Sequence, residues 1–216
     1  MNNETVIYTP KEERANYLTH GLGFLVSLVG LGMLITKGWT HKDPYVLLGV
    51  TTFGIGLMVC FLSSTVYHWV RKPDLKHKLR IIDHLCIYLL IGASYTPFAI
   101  VNLRDNWGIP VFFAIWGIAL AGSIFKILIR NKLQTYSKID ALFYVLIGCF
   151  ALLFIKPIMA GIHPEGLRLL AFGGAAYIMG VFFYLNKKIP YNHAIWHLFV
   201  MLGGGLHFAA VWGYVG

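Results

Sequence analysis

Residues 193–214 read HAIWHLFVMLGGGLHFAAVWGY. The stretch contains no Asp, Glu, Lys or Arg, and it is long enough for a helix to cross a hydrocarbon core, which takes about 20 residues. Its backbone polar groups would then be satisfied within the helix, the condition that lipid imposes on any single spanning segment. Two histidines, His193 and His197, nevertheless open the run four positions apart, with His207 further along. Similar apolar runs fall at 18–36, 44–70, 81–101, 109–129, 139–155 and 167–186, making seven candidate spans.

Composition agrees with this pattern. Of 216 residues, 57% are hydrophobic and 12% charged, against about 25% charged in a soluble domain, and the mean hydropathy is +0.66. The expected fold class is an all-α membrane protein, a seven-transmembrane helix bundle forming one domain over residues 1–216 with a short cytoplasmic segment at 1–16. The connecting loops are too short for a second domain. A polar stretch with Glu4, Glu12 and Glu13 precedes the first run and no small-residue cleavage site follows it, so it is not expected to be a signal peptide. Cys60, Cys86 and Cys149 are scattered without CxxC spacing, which argues against a disulfide framework or a cysteine-based zinc site.

The net charge of +9 is expected to report membrane orientation, not nucleic-acid binding, because Lys and Arg accumulate in cytoplasmic loops. One side of the bundle would carry Lys11, Arg14, Arg71, Lys72, Lys76, Lys78, Arg80, Lys126, Arg130, Lys132, Lys138, Lys187 and Lys188; the other has only Lys37, Lys42, Arg104, Lys156 and Arg168. The N-terminus is therefore expected in the cytoplasm and the C-terminus outside.

With that orientation, separate spans deliver polar groups to one cytoplasmic layer. His193 and His197 open the seventh span, and their spacing puts them on one helix face. Ser64 and His68 repeat the spacing at the end of the second, Asp83 lies about a turn into the third, and Asn16 and His20 reach the same depth on the first. Polar and ionisable side chains inside a membrane are functional candidates by default. Imidazoles are favoured zinc ligands, and three of them leave a fourth position for a water whose pKa zinc lowers to about 7. Asp83 could orient that water or take its proton, and Ser64 could hydrogen-bond the water or a substrate carbonyl.

Each residue also has a plainer reading. HAIWH has Ala194 where the HExxH motif has its glutamate. Ser64 could bond its own backbone, Asp83 could simply pair with Arg80, and His20 could cap or bridge helices. His84 reads as an interfacial histidine, while His41, His77 and His163 read as solvated loop residues. His207 lies roughly 15 Å along the helix from His197, too far for the same site. Asp140 opens a helix where its charge suits the dipole and remains a reserve candidate. The glycines at 203–205 read as a close-packing surface.

The segments EERANYLTH, SSTVYH with RIIDH, and HAIWH together resemble the three motifs of the progestin and adipoQ receptor family, whose bacterial branch is called hemolysin III. The resemblance covers essentially the whole chain. It implies a zinc site made by His68, His193 and His197, with Asp83 holding the zinc-bound water and Ser64 nearby. It also implies a supporting motif of Glu13, Asn16 and His20, in which Glu12 could replace Glu13. The long cytoplasmic N-terminal domain of the adiponectin receptors does not precede the first span, so hormone signalling is not expected. The wider set of ceramidase-like membrane proteins to which the family belongs implies metal-dependent hydrolysis of a lipid amide or ester.

The expected setting is the bacterial cytoplasmic membrane, with Zn2+ as cofactor and membrane lipids as partners. The alternatives are a non-enzymatic sensor or regulator of membrane state with structural zinc, and a cytolytic protein. A reporter fused after Gly216 is expected to behave as external; a cytoplasmic signal would overturn both the orientation and the cytoplasmic placement of the polar layer.

Overall fold

The computed structural model describes residues 8–130 and 137–216. Glu4, in the polar stretch before the first run, and Lys132, in the charge count, lie outside the described residues. Among those described, every regular element is helical: α1 (Pro10–His41), α2 (Pro44–Trp69), α3 (Pro73–Pro97), α4 (Gly108–Leu128), α5 (Ser137–Gly148), α6 (Ile155–Gly161), α7 (Pro164–Leu185) and α8 (Asn192–Tyr214). A π-helical turn, Phe98–Asn102, continues α3, and a 3₁₀ segment, Cys149–Phe154, joins α5 to α6 into one span. Among the described residues, seven stretches are long and apolar enough to cross a bilayer.

Local chemistry sets the helix ends. Thr9 and Glu12 form a capping box at α1: the Thr9 hydroxyl accepts from the Glu12 N–H at 3.3 Å, and Glu12 Oε2 accepts from the Thr9 N–H at 2.9 Å. Helix α1 therefore starts at Pro10, well before the apolar run at 18–36, and residues 10–16 form its first turns. Asp43 caps α2 by accepting from the Tyr45 N–H at 2.8 Å, with Pro44 opening the helix. His41 and His77, expected in loops, are the last residue of α1 and a residue of α3.

The fifth span is expected over 139–155. It continues to Gly161 by breaking its helix. The break leaves backbone groups without helical partners, and Tyr95 of α3 supplies them. Its hydroxyl donates to the Gly148 carbonyl at 2.7 Å and accepts from the Ala151 N–H at 2.9 Å. Lipid would otherwise leave those groups unsatisfied.

The helices close into a ring in which α1 touches α2 and α8, α2 packs on α3, α3 on α4, α5 on α7, and α7 on α8. The core, including Leu34, Val50, Phe53, Leu57, Phe61 and Val200, lies between α1, α2, α3 and α8. Large apolar side chains such as Leu25, Val29, Phe113 and Phe172 face outward, as a lipid-facing surface requires. Lys126, counted above with the cytoplasmic loops, is instead fully buried on α4 and paired with Asp140 of α5. Asp140 is thus held by a lysine and does not join the histidines.

The glycine run is used unequally. A Cβ on Gly203 would meet the Tyr177 ring at 2.8 Å, and one on Gly204 would meet Leu57 at 2.9 Å, whereas one on Gly205 meets nothing within 4 Å. Gly203→Ala is expected to destabilise the protein by about 1–3 kcal/mol through overpacking. Gly205→Ala should be neutral or stabilising by roughly 0.5–1 kcal/mol. Thermal unfolding in micelles separates the two; equal effects would refute the unequal packing.

Candidate metal centre

Helix α1 presents Glu13, Asn16, Thr19 and His20 on the face toward α2 and α8. Helix α2 contributes Ser64 and His68, α3 contributes Asp83, and α8 contributes His193 and His197. Asn16, His20, Ser64, His68, Asp83, His193 and His197 are all buried, and Glu13 is half-buried beside them. The start of α8 is locked to α7 by Asn192, whose amide donates to the carbonyls of Phe183 and Tyr184, both at 3.1 Å. Tyr191 precedes it in the left-handed region at φ 56°, a conformation uncommon for a tyrosine. Its N–H donates to Glu12 Oε1 at 3.4 Å, which ties the turn before α8 to the start of α1.

The imidazoles of His68, His193 and His197 each offer a ligand nitrogen, and these atoms lie within 4.8 Å of one another. His68 Nε2 and His193 Nε2 are 3.1 Å apart, close to the N···N edge of roughly 3.3 Å for a tetrahedron with Zn–N distances of about 2.0–2.1 Å. The opposite ring nitrogens all have protein partners. His68 Nδ1 faces Glu13 Oε2 at 2.7 Å, His193 Nδ1 faces the Tyr8 hydroxyl at 2.9 Å, and His197 Nδ1 faces the Asn16 carbonyl at 3.2 Å and the Thr19 hydroxyl at 3.0 Å.

A carboxylate and a carbonyl can only accept, so they place the proton on Nδ1 of His68 and His197 and leave Nε2 with a lone pair. The phenol oxygen of Tyr8 can accept from His193 in the same way, and burial pushes its own pKa well up, keeping it a neutral phenol. His197 Nε2 is buried without a hydrogen-bond partner. Lone pairs converging in a buried site, with the far nitrogens anchored by protein acceptors, are the donor set a divalent metal takes. Nitrogen donors of this kind suit zinc better than magnesium.

The flanking residues divide. His20 stacks on His197 with ring centroids 3.5 Å apart, but neither of its nitrogens has a partner; it packs against the centre and is not one of the converging donors. Glu12, the alternative to Glu13, is engaged in the capping box, so it is Glu13 that reaches His68. The hydroxyls beside Ser64 bond their own helix: Ser63 donates to the Cys60 carbonyl at 2.9 Å and Thr65 to the Phe61 carbonyl at 2.6 Å. Ser64 Oγ does not. It faces the Asp83 carboxyl without the geometry of a full hydrogen bond, and the Arg80 charge lies close to the same carboxyl.

His207 is remote from the three histidines; its Nε2 faces the Leu170 carbonyl at 3.3 Å. Tyr8 and Thr19 were not singled out in the sequence. Thr19 follows Asn16 by three residues and could have been found by helix spacing, whereas Tyr8 precedes the helix and carries no periodic signal.

An apolar cavity of about 160 Å³ adjoins the centre. It starts at His20, Asp83 and Trp196 and extends past Leu90 and Tyr144 to Tyr177 and His207. Its wall includes Gly148, Gly174 and the outward-facing Ile178, placing part of it at the seam between the fifth span and α7.

Residues 8–208 match the sequence model of the Haemolysin-III related family. The chain belongs to this family. It is 37% identical over 205 residues to Hemolysin-3 of Bacillus cereus, covering 95% of this chain and 92% of that protein. Identity is 36% over 205 residues to the Hemolysin-3 homolog of Bacillus subtilis (strain 168), covering 95% of each. It is 32% over 215 residues to the monocyte to macrophage differentiation factor of Homo sapiens, covering 94% of this chain and 84% of that protein. The chain is a multi-pass membrane protein, with seven helices among the described residues long and apolar enough to span.

In this haemolysin-III family member, three buried histidines could hold a metal ion, and His68→Ala, His193→Ala and His197→Ala are each expected to abolish most binding of a divalent transition metal. Glu13→Gln should retain the ion with affinity lowered by about 10–100-fold. His207→Ala, as a control, should bind normally. Metal content by mass spectrometry after titration is the readout, and full occupancy in His68→Ala would refute a three-histidine centre.

Proposed function

We propose that this chain is a zinc-dependent intramembrane hydrolase acting on the amide or ester bond of a membrane lipid. The observation that carries the proposal is the junction itself. Three buried histidines offer ligand nitrogens within 4.8 Å of one another; one of them, His193, lines a recess with the buried Asp83, which Ser64 faces and which also lines the apolar cavity. Zinc at the histidines would supply Lewis acidity to the reacting carbonyl and water.

The chain's own residues account for the rest. The cavity admits an acyl chain and excludes bulk water, which strengthens polar interactions at its head. Asp83 takes the proton of the attacking water and returns it to the leaving amine or alkoxide. The Ser64 hydroxyl, beside Asp83, donates to the carbonyl oxygen as negative charge develops there. Glu13, Thr19 and Tyr8 hold the imidazoles in register through their Nδ1 atoms.

A second reading has its own support. His68 and the α8 histidines lie on different helices, so a metal between them would also pin α2 to α8. That suits a regulator of membrane state with a structural ion. The name of the Bacillus cereus relative speaks of haemolysis by that protein; here cytolysis would follow from disturbed lipid composition.

Asp83→Asn separates the readings. The amide cannot take a proton, so general-base catalysis worth about 10²–10⁴-fold should disappear, while the three histidines keep their zinc. Lipid profiles of cells carrying the variant should show one amide or ester class accumulating. A zinc-loaded Asp83→Asn protein with wild-type lipid turnover would leave the structural-metal regulator as the better account.

A further inference from the structure

The proposed hydrolytic step uses one end of the apolar cavity, and the opposite end carries polar atoms that the step leaves idle. Ser94, Tyr95 and Tyr144 line the cavity, but their hydroxyls are engaged with backbone. Ser94 donates to the Leu90 carbonyl at 2.7 Å, Tyr95 to that of Gly148 at 2.7 Å, and Tyr144 to that of His84 at 3.5 Å. Two wall residues differ. The Tyr177 hydroxyl and His207 Nδ1 are buried, and neither has a hydrogen-bond partner. Among the described residues lining the cavity, the other buried nitrogens without a partner belong to His20, at the metal end.

The two atoms are chemically complementary. His207 Nε2 faces the Leu170 carbonyl at 3.3 Å. A carbonyl can only accept, so the proton sits on Nε2 and Nδ1 keeps a bare lone pair. Gly173 makes room for this orientation, because a Cβ there would collide with the His207 ring. Tyr177 meets the same ring edge-on, with centres 5.3 Å apart, and its hydroxyl has a proton to donate. A donor and an acceptor buried without partners both destabilise the structure. A plain hydrocarbon chain in the cavity would leave both bare. A ketone could accept from Tyr177 but would offer nothing to His207. A hydroxyl both accepts and donates, so it satisfies the pair.

We propose that Tyr177 and His207 form a subsite for a hydroxyl group carried within the chain of a lipid, so that the cavity selects hydroxylated acyl chains over plain ones. The chain hydroxyl accepts from the Tyr177 phenol and donates to His207 Nδ1. His207 lies roughly 15 Å along α8 from His197. An extended chain with C–C bonds of about 1.5 Å advances about 1.3 Å per bond, which puts the hydroxyl about twelve carbons from the scissile carbonyl. The assignment to a substrate rests on the hydrolase proposed above; binding at the subsite does not require turnover.

The test uses the full chain as purified in neutral maltoside micelles. Tritiated stearic acid, which a hydrolase cannot cleave, is bound and then displaced by unlabelled 12-hydroxystearic, 5-hydroxystearic and 12-oxostearic acids. The two hydroxy acids are isomers, so their partition into the micelle nearly cancels in the comparison. The 12-hydroxy isomer is expected to compete at least about tenfold more strongly than the 5-hydroxy isomer. The 12-oxo acid, which can accept but not donate, should fall between. Tyr177→Phe keeps the ring and should cut the 12-hydroxy advantage by about three- to fivefold. In His207→Leu the 12-hydroxy and 12-oxo acids should compete equally.

Equal competition by the two hydroxy isomers, or an advantage undiminished in Tyr177→Phe, would overturn the subsite and leave the two atoms as hosts for ordered water. Equal competition by the 12-hydroxy and 12-oxo acids in the wild type would overturn His207 as the acceptor, and with it the selection of a hydroxyl. Should His207→Leu not fold, Tyr177→Phe decides. A 12-hydroxy advantage in a protein that cleaves no lipid amide or ester would sink only the hydrolase, and cleavage without the advantage only the subsite.

Discussion

An imidazole buried inside a bilayer-spanning bundle needs a hydrogen-bond partner for its second nitrogen. The structure answers that constraint three times. Glu13, Tyr8, and the Asn16 carbonyl with Thr19 each hold one Nδ1, which turns Nε2 of His68, His193 and His197 toward a common point. Without those partners the rings could rotate or exchange tautomers, and the convergence of lone pairs would be lost. Much of the remaining architecture follows from the need to bring the partners to the ligands.

Helix α1 supplies most of them although it provides no converging nitrogen of its own. Its early start at Pro10, set by the Thr9–Glu12 box, puts Glu13 and Asn16 at the depth of His68 and His197. The contact of α1 with α8 closes the ring of helices and joins the first motif in the chain to the last. The bond from the Tyr191 N–H to Glu12 makes the same connection at the mouth of the centre. A motif separated from its partners by more than 170 residues thus acts as part of one site.

The opposite side of the bundle is looser in construction. Tyr95 lets the fifth span abandon α-helical geometry without leaving backbone groups bare, and the resulting wall, with Gly148 and Cys149, borders the apolar cavity. The ion pair of Lys126 with Asp140 ties α4 to α5 close by. The tight half of the protein therefore holds the polar groups, and the looser half holds the space that a chain-bearing ligand would occupy.

Seven spans and the residues of the polar layer could be read from the sequence because both rest on local periodicity. Apolar runs of bilayer length report helices, and spacings of three and four report a shared face: Ser64 with His68, His193 with His197. The resemblance of the motifs also singled out Glu13. Tertiary structure decided what spacing cannot express. It chose Glu13 over Glu12, because one carboxylate is consumed by a helix cap and the other reaches across to α2. It moved Asp140 and Lys126 out of the site and off the surface by pairing them in the interior. It turned Ser64 toward Asp83 while Ser63 and Thr65 bond their own helix, and it brought Tyr8, which lies before any periodic element, onto His193. Periodicity is a property of one helix; partnership, cavity and charge balance arise only between helices, where an apolar medium forces each buried polar atom to find a partner in the protein.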